Sequence, residues 1–280
     1  MTGTTSPETA VSSDSPSSPR PQIALGSTLR ATRDSGRKLL MPYVTAGIVP
    51  DWLDLVEAVV DAGADAVEIG IPFSDPAMDG PTIQQASVRA LDNGITPHAA
   101  LSALRDREIA VPLIAMTYYN LVYRYGTERF ASDMAASGLS AAILPDLPIE
   151  AAGEWLAAAG EYGIENVLLA APVTSDERLA MLASNTQGFM YTVSTMGTTG
   201  ERTDLDDAGT VLARRVKAIS DVPVVIGFGI STPEHAVAAS RESDGVVVAS
   251  TLMRTLLDGG SVEEVAGQVR DMRQALDAAY

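Results

Sequence analysis

Residues 66–81 read Ala66-Val67-Glu68-Ile69-Gly70-Ile71-Pro72-Phe73-Ser74-Asp75-Pro76-Ala77-Met78-Asp79-Gly80-Pro81, a short apolar run followed by a loop rich in proline. The run predicts a β-strand, because side chains that alternate along a strand place Glu68 on one face with two small residues and three bulky apolar residues on the other. A strand that is apolar on nearly every residue is typical of a parallel sheet covered by helices on both faces. On this alternation Glu68 points into the interior of the sheet structure.

The same unit, a strand followed by an amphipathic helix, recurs along the chain. The predicted strands are Leu39–Thr45, Ala66–Ile71, Val111–Thr117, Ala141–Leu144, Asn166–Ala171, Phe189–Val193, Val224–Phe228 and Gly245–Ala249. The predicted helices include Trp52–Ala62, Gln84–Leu91, Ala151–Glu161, Asp176–Ala183, Ala208–Ala218, Pro233–Ala239 and Val262–Ala279. Eight such units in about 240 residues favour a (β/α)8 barrel over a doubly wound sheet, which would have fewer strands.

A doubly wound nucleotide-binding fold would also carry a G-x-G-x-x-G motif after its first strand. The first strand here ends in Thr45-Ala46-Gly47 without that motif. The sequence therefore predicts an α/β fold, a single-domain (β/α)8 TIM barrel over residues 23–280. Residues 1–22, rich in serine, threonine and proline, predict a disordered tail with neither a secretory signal nor a transit peptide.

Composition narrows the functional classes. The formal net charge of −17 argues against a nucleic-acid partner and against an anionic membrane surface. The absence of cysteine excludes disulfides, thiolate nucleophiles and Cys-ligated metals. No apolar run reaches the roughly 18 residues that a membrane span needs. We therefore expect a soluble, cytoplasmic protein.

Lysine and histidine are too scarce for several kinds of catalysis. The two lysines, Lys38 and Lys217, do not follow predicted core strands, where a Schiff-base lysine would be expected. The two histidines, His98 and His235, fall near the starts of predicted helices and cannot by themselves form a multi-histidine zinc site. The sequence thus predicts no metal site, and acid–base chemistry is left to carboxylates, tyrosines and backbone groups.

Glu68 and Asp79 are the candidate acid–base pair. A carboxylate on a buried strand loses several kcal/mol of hydration unless it is paired, protonated or used in chemistry. Asp79 lies on the loop that leaves the same strand, at the barrel end where active sites form. Alternatively, Glu68 binds a neighbouring backbone amide and Asp79 stabilises a turn before Gly80, as aspartate often does.

Glycines after the last three predicted strands indicate a phosphate site. They occur in the segments Ser194–Gly200 and Gly227–Ser231, while the eighth strand ends in Ala249-Ser250-Thr251 at the start of a possible short helix. In barrels of this kind, backbone amides after strands seven and eight commonly bind phosphate together with a helix N-terminus. Each glycine motif alone is also compatible with an ordinary tight turn.

Aromatic residues follow the third predicted strand in the run Met116-Thr117-Tyr118-Tyr119-Asn120. They could form the wall of a pocket for a planar apolar substrate or simply fill the core with satisfied hydroxyls. Asp146, in the turn Asp146-Leu147-Pro148, is better explained as a cap at a helix start than as a catalytic acid.

Taken together, these motifs resemble one family, the tryptophan synthase alpha chain, over roughly residues 25–275. The resemblance is carried by Glu68–Pro76, Asp79–Ile83, Tyr43–Gly47, Met116–Asn120, Pro145–Pro148 and Gly227–Ser231, in order and spacing. It implies a TIM barrel lyase of tryptophan biosynthesis that splits indole-3-glycerol phosphate by a retro-aldol reaction into indole and glyceraldehyde 3-phosphate.

The resemblance also implies roles for individual residues. Asp79 would hold the indole N–H and stabilise charge on the ring, and Glu68 would deliver a proton to indole C3 and help deprotonate the glycerol hydroxyl. The substrate-binding residues implied are Tyr43, Met116, Tyr118, Tyr191, Thr199, Gly200, Gly229, Ala249 and Ser250. Of these, Thr199 would close toward Asp79, and Gly200, Gly229 and Ser250 would contact phosphate.

Partners follow from the same resemblance. It implies a tryptophan synthase beta chain in an alpha2-beta2 tetramer, with no cofactor in this chain and pyridoxal phosphate only in the beta partner. The alternatives are a stand-alone indole-releasing lyase and a phosphate-binding barrel with weakened catalysis.

Three positions depart from the family pattern. Ala249 replaces a usual glycine beside the phosphate, which predicts weaker phosphate binding. Met78 replaces a small residue before Asp79 and could alter the fold of that loop. Thr198 replaces a usual valine, a milder change.

Overall fold

In the computed structural model of the chain, residues 22–193, 207–227 and 229–280 are described, with the side chain of Asp207 left aside. Their strands form a closed parallel barrel in sequence order, in which β1 pairs with both β2 and β8. The strands are β1 (Leu39–Thr45), β2 (Val67–Gly70), β3 (Leu113–Met116), β4 (Leu139–Ile143), β5 (Glu165–Ala170), β6 (Met190–Thr192), β7 (Val224–Ile226) and β8 (Gly245–Val248). The predicted TIM barrel is confirmed, and each predicted strand has its counterpart.

Helices surround the barrel. They are α1 (Leu25–Asp34), α2 (Trp52–Asp61), α3 (Pro81–Asp92), α4 (Pro97–Arg105), α5 (Tyr119–Tyr125), α6 (Thr127–Ala136), α7 (Gly153–Glu161), α8 (Asp176–Asn185), α9 (Asp207–Lys217), α10 (Pro233–Ser240), α11 (Ser250–Leu257) and α12 (Val262–Ala279), with a 3-10 turn at Ile149–Ala151. None of the helices in the described ranges is long and apolar enough to cross a bilayer.

Helix α3 begins three residues before the predicted start at Gln84. Pro81 is its first residue, a position where the missing N–H costs nothing and the fixed φ suits a helix. The prediction assigned this proline to the loop. As a result, the helix starts two residues after Asp79 and fixes the end of that loop.

The core has two layers, as the alternation of β2 predicts. Ala66 belongs to the cluster inside the barrel, with Met41, Ile114 and Val247. Val67, Ile69 and Ile71 belong to the cluster between the strands and the helices.

Helix α1 closes the amino-terminal end of the barrel. Its Leu25 and Leu29 are fully buried and join the interior cluster. The carboxylate of Glu165, at the start of β5, accepts a hydrogen bond at 3.0 Å from the Gly26 amide in the first turn of α1. Gln22, the last residue of the predicted tail, donates to the carbonyl of Leu139 at 2.7 Å. The segment from Gln22 onward is thus attached to the barrel.

Charged groups also fasten this end. Lys217 Nζ lies 2.7 Å from Asp244 Oδ1, while the other oxygen of Asp244 accepts from the Val224 amide at 2.8 Å. Lys38 Nζ donates to the Ser243 carbonyl at 2.9 Å. Both lysines therefore lie at the amino-terminal ends of strands, the end opposite the one where barrel enzymes place their active sites.

The apolar contact of α1 predicts a specific stability loss. Leu29→Ala should lower the free energy of unfolding by about 2–5 kcal/mol, because it removes buried methyl groups and leaves a cavity under the barrel. Urea unfolding followed by circular dichroism measures the change. Arg30→Ala, on the exposed side of the same helix, should change it by less than about 0.5 kcal/mol. Equal effects of the two substitutions would show that α1 does not plug the barrel.

Candidate active site

Glu68 lies inside the carboxyl-terminal half of the barrel. On β2 it is in register with Tyr43 of β1 and Ile114 of β3, and its side chain is 0% exposed. Among the described residues neither carboxyl oxygen has a hydrogen-bond partner. A buried carboxyl group in that condition is strongly disfavoured in its charged form, so burial raises the pKa of Glu68 to about 8.

Two buried tyrosines flank this carboxyl group. Tyr43 on β1 and Tyr191 on β6 are nearly inaccessible to solvent. Burial raises the pKa of both phenols, and the charges of Glu68 and Asp79 raise the pKa further. The three side chains therefore share one apolar environment and all favour their neutral forms.

Two glycines make room for these tyrosines. A β carbon at Gly70 would overlap the hydroxyl of Tyr43, and one at Gly227 would overlap the ring of Tyr191. Gly227 belongs to the motif predicted to bind phosphate. Its structural role is instead the close approach of an aromatic ring, a role that glycine alone permits because it lacks a β carbon.

Asp79 is held by a tyrosine from the next strand. The Tyr118 hydroxyl accepts a hydrogen bond from the Met78 amide at 3.0 Å and donates one to the Asp79 carboxylate. The Asp79 amide also bonds to the Pro76 carbonyl at 3.0 Å, which closes the turn predicted before Gly80. The loop after β2 thus delivers Asp79 to the barrel mouth in a defined position.

Asp79 and Glu68 have different pKa values because their environments differ. Two effects act on Asp79 in opposite directions: burial raises its pKa, and the hydrogen bond from Tyr118 lowers it. Burial is the larger effect, and the pKa is raised to about 6. At pH 7 most Asp79 is ionised, while Glu68, with a pKa of about 8, is mostly protonated. Carboxyl groups whose environments separate their pKa values in this way are suited to different acid and base roles.

The predicted phosphate end lies on β7, β8 and the helices after them. Gly229 has a φ of +79° and open space where a β carbon would stand. Ser250 is the first residue of α11, and Ala249 precedes it with a φ of −125°. Because that φ is negative, the backbone at Ala249 does not itself require the glycine usual in the resembled family.

The remaining predicted site residues fall in three places. Met116 ends β3, where it is in register with Gly70, and is half-buried. Thr199, Gly200 and the departure at Thr198 lie outside the described residues. The side chain of Met78 is 46% exposed, so it points to solvent while its amide bonds to Tyr118.

Phe73 has a role that the sequence did not assign, and Asp146 caps a helix. The ring of Phe73 packs against Tyr118 with 5.3 Å between ring centroids, which supports the tyrosine that binds Asp79. Asp146 Oδ1 accepts from the Tyr119 amide at 2.8 Å, so it caps the first turn of α5. Asp146 is thus a helix cap, as the sequence predicts. The helix that it caps, α5, follows β3, whereas Asp146 itself follows β4. Phe73 could have been suspected from its place in the proline-rich loop.

Neither histidine touches the acid pair. His98 is exposed and bonds through Nδ1 to the Tyr125 hydroxyl at 3.2 Å, while His235 Nδ1 bonds to Ser231 Oγ at 3.0 Å. Within the described ranges, His, Asp and Glu form no cluster of three that could hold a metal ion.

The closed barrel, with one desolvated carboxyl group on β2, a second on the loop after it and a helix N-terminus after β8, is that of a (β/α)8-barrel enzyme. The family model of the tryptophan synthase alpha chain matches residues 29–279. The tryptophan synthase alpha chain of Dehalococcoides mccartyi is 41% identical over 245 residues, covering 86% of this chain and 96% of the relative. That of Mycobacterium marinum is 42% identical over 255 residues, covering 88% and 94%.

A solved structure of Mycobacterium tuberculosis tryptophan synthase superimposes with a TM-score of 0.84 at 37% identity, covering 91% of this chain and 99% of the other. The chain belongs to the tryptophan synthase alpha chain family. It is a lyase of tryptophan biosynthesis, and its reaction is the cleavage of indole-3-glycerol phosphate to indole and glyceraldehyde 3-phosphate. Alpha chains of this family use no cofactor, and pyridoxal phosphate belongs to the beta chain.

The buried carboxyl group of Glu68 makes the stability of the fold depend on pH. Its pKa is near 4.5 in the unfolded chain and about 8 in the fold, so the folded state loses stability as pH rises between these values. Glu68→Gln cannot titrate. The substitution should therefore stabilise the protein increasingly across that window, by up to about 1.4 kcal/mol for each pH unit.

Urea unfolding of both proteins at pH 5 and pH 8 measures the difference. Glu161→Gln, an exposed glutamate at the end of α7, should differ from the unmodified chain by less than about 0.5 kcal/mol at either pH. A Glu68→Gln effect that does not change with pH would mean that Glu68 is not desolvated as described.

Proposed function

We propose that Glu68 and Asp79 divide the proton transfers of the cleavage reaction. The observation that carries this proposal is the complete burial of Glu68, with both carboxyl oxygens left without a partner among the described residues. Such an arrangement costs stability, and groups that cost stability cluster where function needs them. Within the described part of the chain, Glu68 forms no ion pair or cap that would offset that cost.

The proposed sequence begins with Glu68 in its protonated form. Its carboxyl group donates a proton to C3 of the indole ring, which breaks the aromaticity of the ring and leaves positive charge on the ring nitrogen. Asp79, ionised at neutral pH, accepts a hydrogen bond from the indole N–H and stabilises that charge. The pKa of about 8 for Glu68 and about 6 for Asp79 suits each group to its part.

Cleavage of the carbon–carbon bond then restores the aromaticity of the indole ring. The Glu68 carboxylate takes the proton of the hydroxyl group on the adjacent glycerol carbon, the C–O bond becomes a carbonyl, and the electrons of the carbon–carbon bond return to indole. The products are indole and glyceraldehyde 3-phosphate, and Glu68 ends protonated as it began. Each proton is thus accounted for by one carboxyl group, without a lysine or a metal ion.

The substrate would lie across the barrel mouth. Tyr43, Met116, Tyr118 and Tyr191 would surround the indole ring, and Gly229, Ala249 and Ser250 would bind the phosphate through backbone amides and the N-terminus of α11. The positive φ and open space at Gly229 support this placement, as does the start of α11 directly after β8. Thr199 and Gly200 complete the proposal as a closing hydroxyl and a further phosphate contact.

The proposed partner is a tryptophan synthase beta chain, in an alpha2-beta2 tetramer in the cytoplasm. The similar Mycobacterium tuberculosis structure is described as tryptophan synthase rather than as its alpha chain alone. The loop after β2, which ends in Asp79, exposes Ser74, Asp75 and Ala77 to solvent. A partner that binds there could act on Asp79 directly.

Removing the negative charge of Asp79 tests its proposed role beside Glu68 in the cleavage reaction. Asp79→Asn keeps the size of the side chain but cannot carry the negative charge, so kcat for indole release should fall by about 10²–10⁴-fold. A spectroscopic assay of indole released from indole-3-glycerol phosphate measures it. Asp61→Asn, an exposed aspartate at the end of α2, should leave the rate unchanged. Retention of full activity in Asp79→Asn, with the fold intact, would refute the role.

Adding a beta chain tests the partnership. If the loop after β2 is completed by the beta chain, indole-3-glycerol phosphate should be consumed faster in the mixture than by the chain alone. The two proteins should also co-elute in size-exclusion chromatography at the mass of a tetramer. An undiminished rate without the beta chain, and no co-elution, would favour the stand-alone lyase.

A further inference from the structure

Two neighbouring helices begin at the two ends of the proposed substrate site. Helix α3 starts at Pro81, two residues after Asp79, and α11 starts at Ser250, at the phosphate end. The helices pack side by side and reach each other through arginine side chains. Those contacts join chain segments about 170 residues apart in sequence.

Arg254 of α11 reaches the first turn of α3. Its Nη2 donates to Thr82 Oγ1 at 2.7 Å, and its Nη1 donates to Gln85 Oε1 at 3.2 Å. Thr82 is buried and lies three residues after Asp79 in sequence. The planar guanidinium, with its fixed donors, holds two residues of α3 at once.

Arg89 of α3 makes the reciprocal contact. Its Nη1 donates to the Leu256 carbonyl at 2.7 Å and its Nη2 to the Leu257 carbonyl at 2.8 Å. These are the carbonyls of the last two residues of α11, where the regular helical hydrogen bonds run out. The last turn of α11 is therefore joined to the start of α3 through Arg254, and its end is joined to the last turn of α3 through Arg89. Each helix follows a strand of the parallel barrel, so both N-termini lie at the barrel mouth.

We infer that Arg254 and Arg89 are positioning residues, an arginine clasp that fixes Asp79 relative to the phosphate end of the site. The inference rests on the proposed function, in which Asp79 binds the indole ring and the N-terminus of α11 binds the phosphate. A substrate that carries both groups on one molecule needs them at a set separation. Two ties between α3 and the short helix α11 hold α11 against α3, and with it the N-terminus of α11 at a set distance from the start of α3.

Loss of the clasp should affect only the linked substrate, indole-3-glycerol phosphate, which carries the indole ring and the phosphate on one molecule. Loosening the clasp leaves the groups that contact indole and the groups that contact phosphate unchanged. Only their mutual placement is lost, and a misplacement of about 1 Å can cost on the order of 100-fold in rate. The clasp therefore predicts a loss with indole-3-glycerol phosphate that the separate fragments do not show.

Arg254→Met tests the inference, because it keeps the length of the side chain and removes both hydrogen bonds. In the full chain, kcat/KM for indole-3-glycerol phosphate should fall about 10- to 100-fold. The dissociation constants of indole and of glycerol 3-phosphate, each measured alone by calorimetry, should stay within about twofold of the unmodified values, since the contacts at each end persist. Arg254→Lys, which can bond one of the two acceptors, should recover part of the rate.

Thr82→Val removes the same hydrogen bond from the other side with little change of shape. If both substitutions act through that bond, the double variant should lose no more activity than the larger single loss. This variant also decides the matter if Arg254→Met fails to fold. Arg270→Met, on the exposed face of α12, is the matched control and should match the unmodified protein in every measurement.

Two results would overturn the clasp. One is unchanged kcat/KM in both Arg254→Met and Thr82→Val. The other is a loss of fragment affinity as large as the loss with the linked substrate, which would mean that Arg254 merely shapes one end of the site. Asp79→Asn, assayed in parallel, separates this failure from failure of the proposed function: activity lost in Asp79→Asn but kept in Arg254→Met refutes the clasp alone.

Discussion

The desolvation of the Glu68 carboxyl group is the constraint on which the rest of the site depends. A carboxyl group without a hydrogen-bond partner in an apolar interior stays protonated near neutral pH, and it does so at a cost in stability. The barrel creates this environment because β2 places Glu68 on the inner face, above a closed apolar cluster. The tyrosines beside it are neutral as well, and no charge among the described residues offsets the burial of the carboxyl group. Moving Glu68 to the outer layer or to solvent would remove the property that suits it to the proposed role of proton donor.

The pKa of the second acid, Asp79, depends on its place in a loop and on its hydrogen bond rather than on full burial. Asp79 comes from a loop and stays partly accessible, and it receives the Tyr118 hydroxyl, so its pKa rises less than that of Glu68. Phe73 packs against that tyrosine and belongs to the same loop as Asp79. The loop therefore carries both the acid and part of the support for the group that orients it. Two carboxyl groups, one on β2 and one on the loop that follows it, thus acquire different protonation states at the same pH.

Stability and chemistry occupy opposite ends of the barrel. At the amino-terminal end, Leu25 and Leu29 of α1 fill the interior and Glu165 caps that helix. Both lysines bind there, which removes them from the mouth. At the other end lie the acid pair, the tyrosines that approach Gly70 and Gly227, and the starts of α3 and α11. This separation, usual in barrels of this class, lets the loops at the mouth serve the reaction while the other end holds the fold together.

The sequence by itself determined the barrel, because eight apolar strands alternating with amphipathic helices leave few other ways to bury both faces of a parallel sheet. It also determined that Glu68 faces inward, since alternation along a strand is set by backbone geometry alone. Its motifs identified the family, and the place of Asp79 on the loop after that strand made it a predicted partner for Glu68. It could not show that Glu68 has no hydrogen-bond partner among the residues that the structure describes, that Tyr118 binds Asp79, or that Gly227 makes room for Tyr191. Nor could it show the contacts of Arg254 with Thr82. Each of these depends on residues far apart in the chain, and only closure of the barrel brings them together.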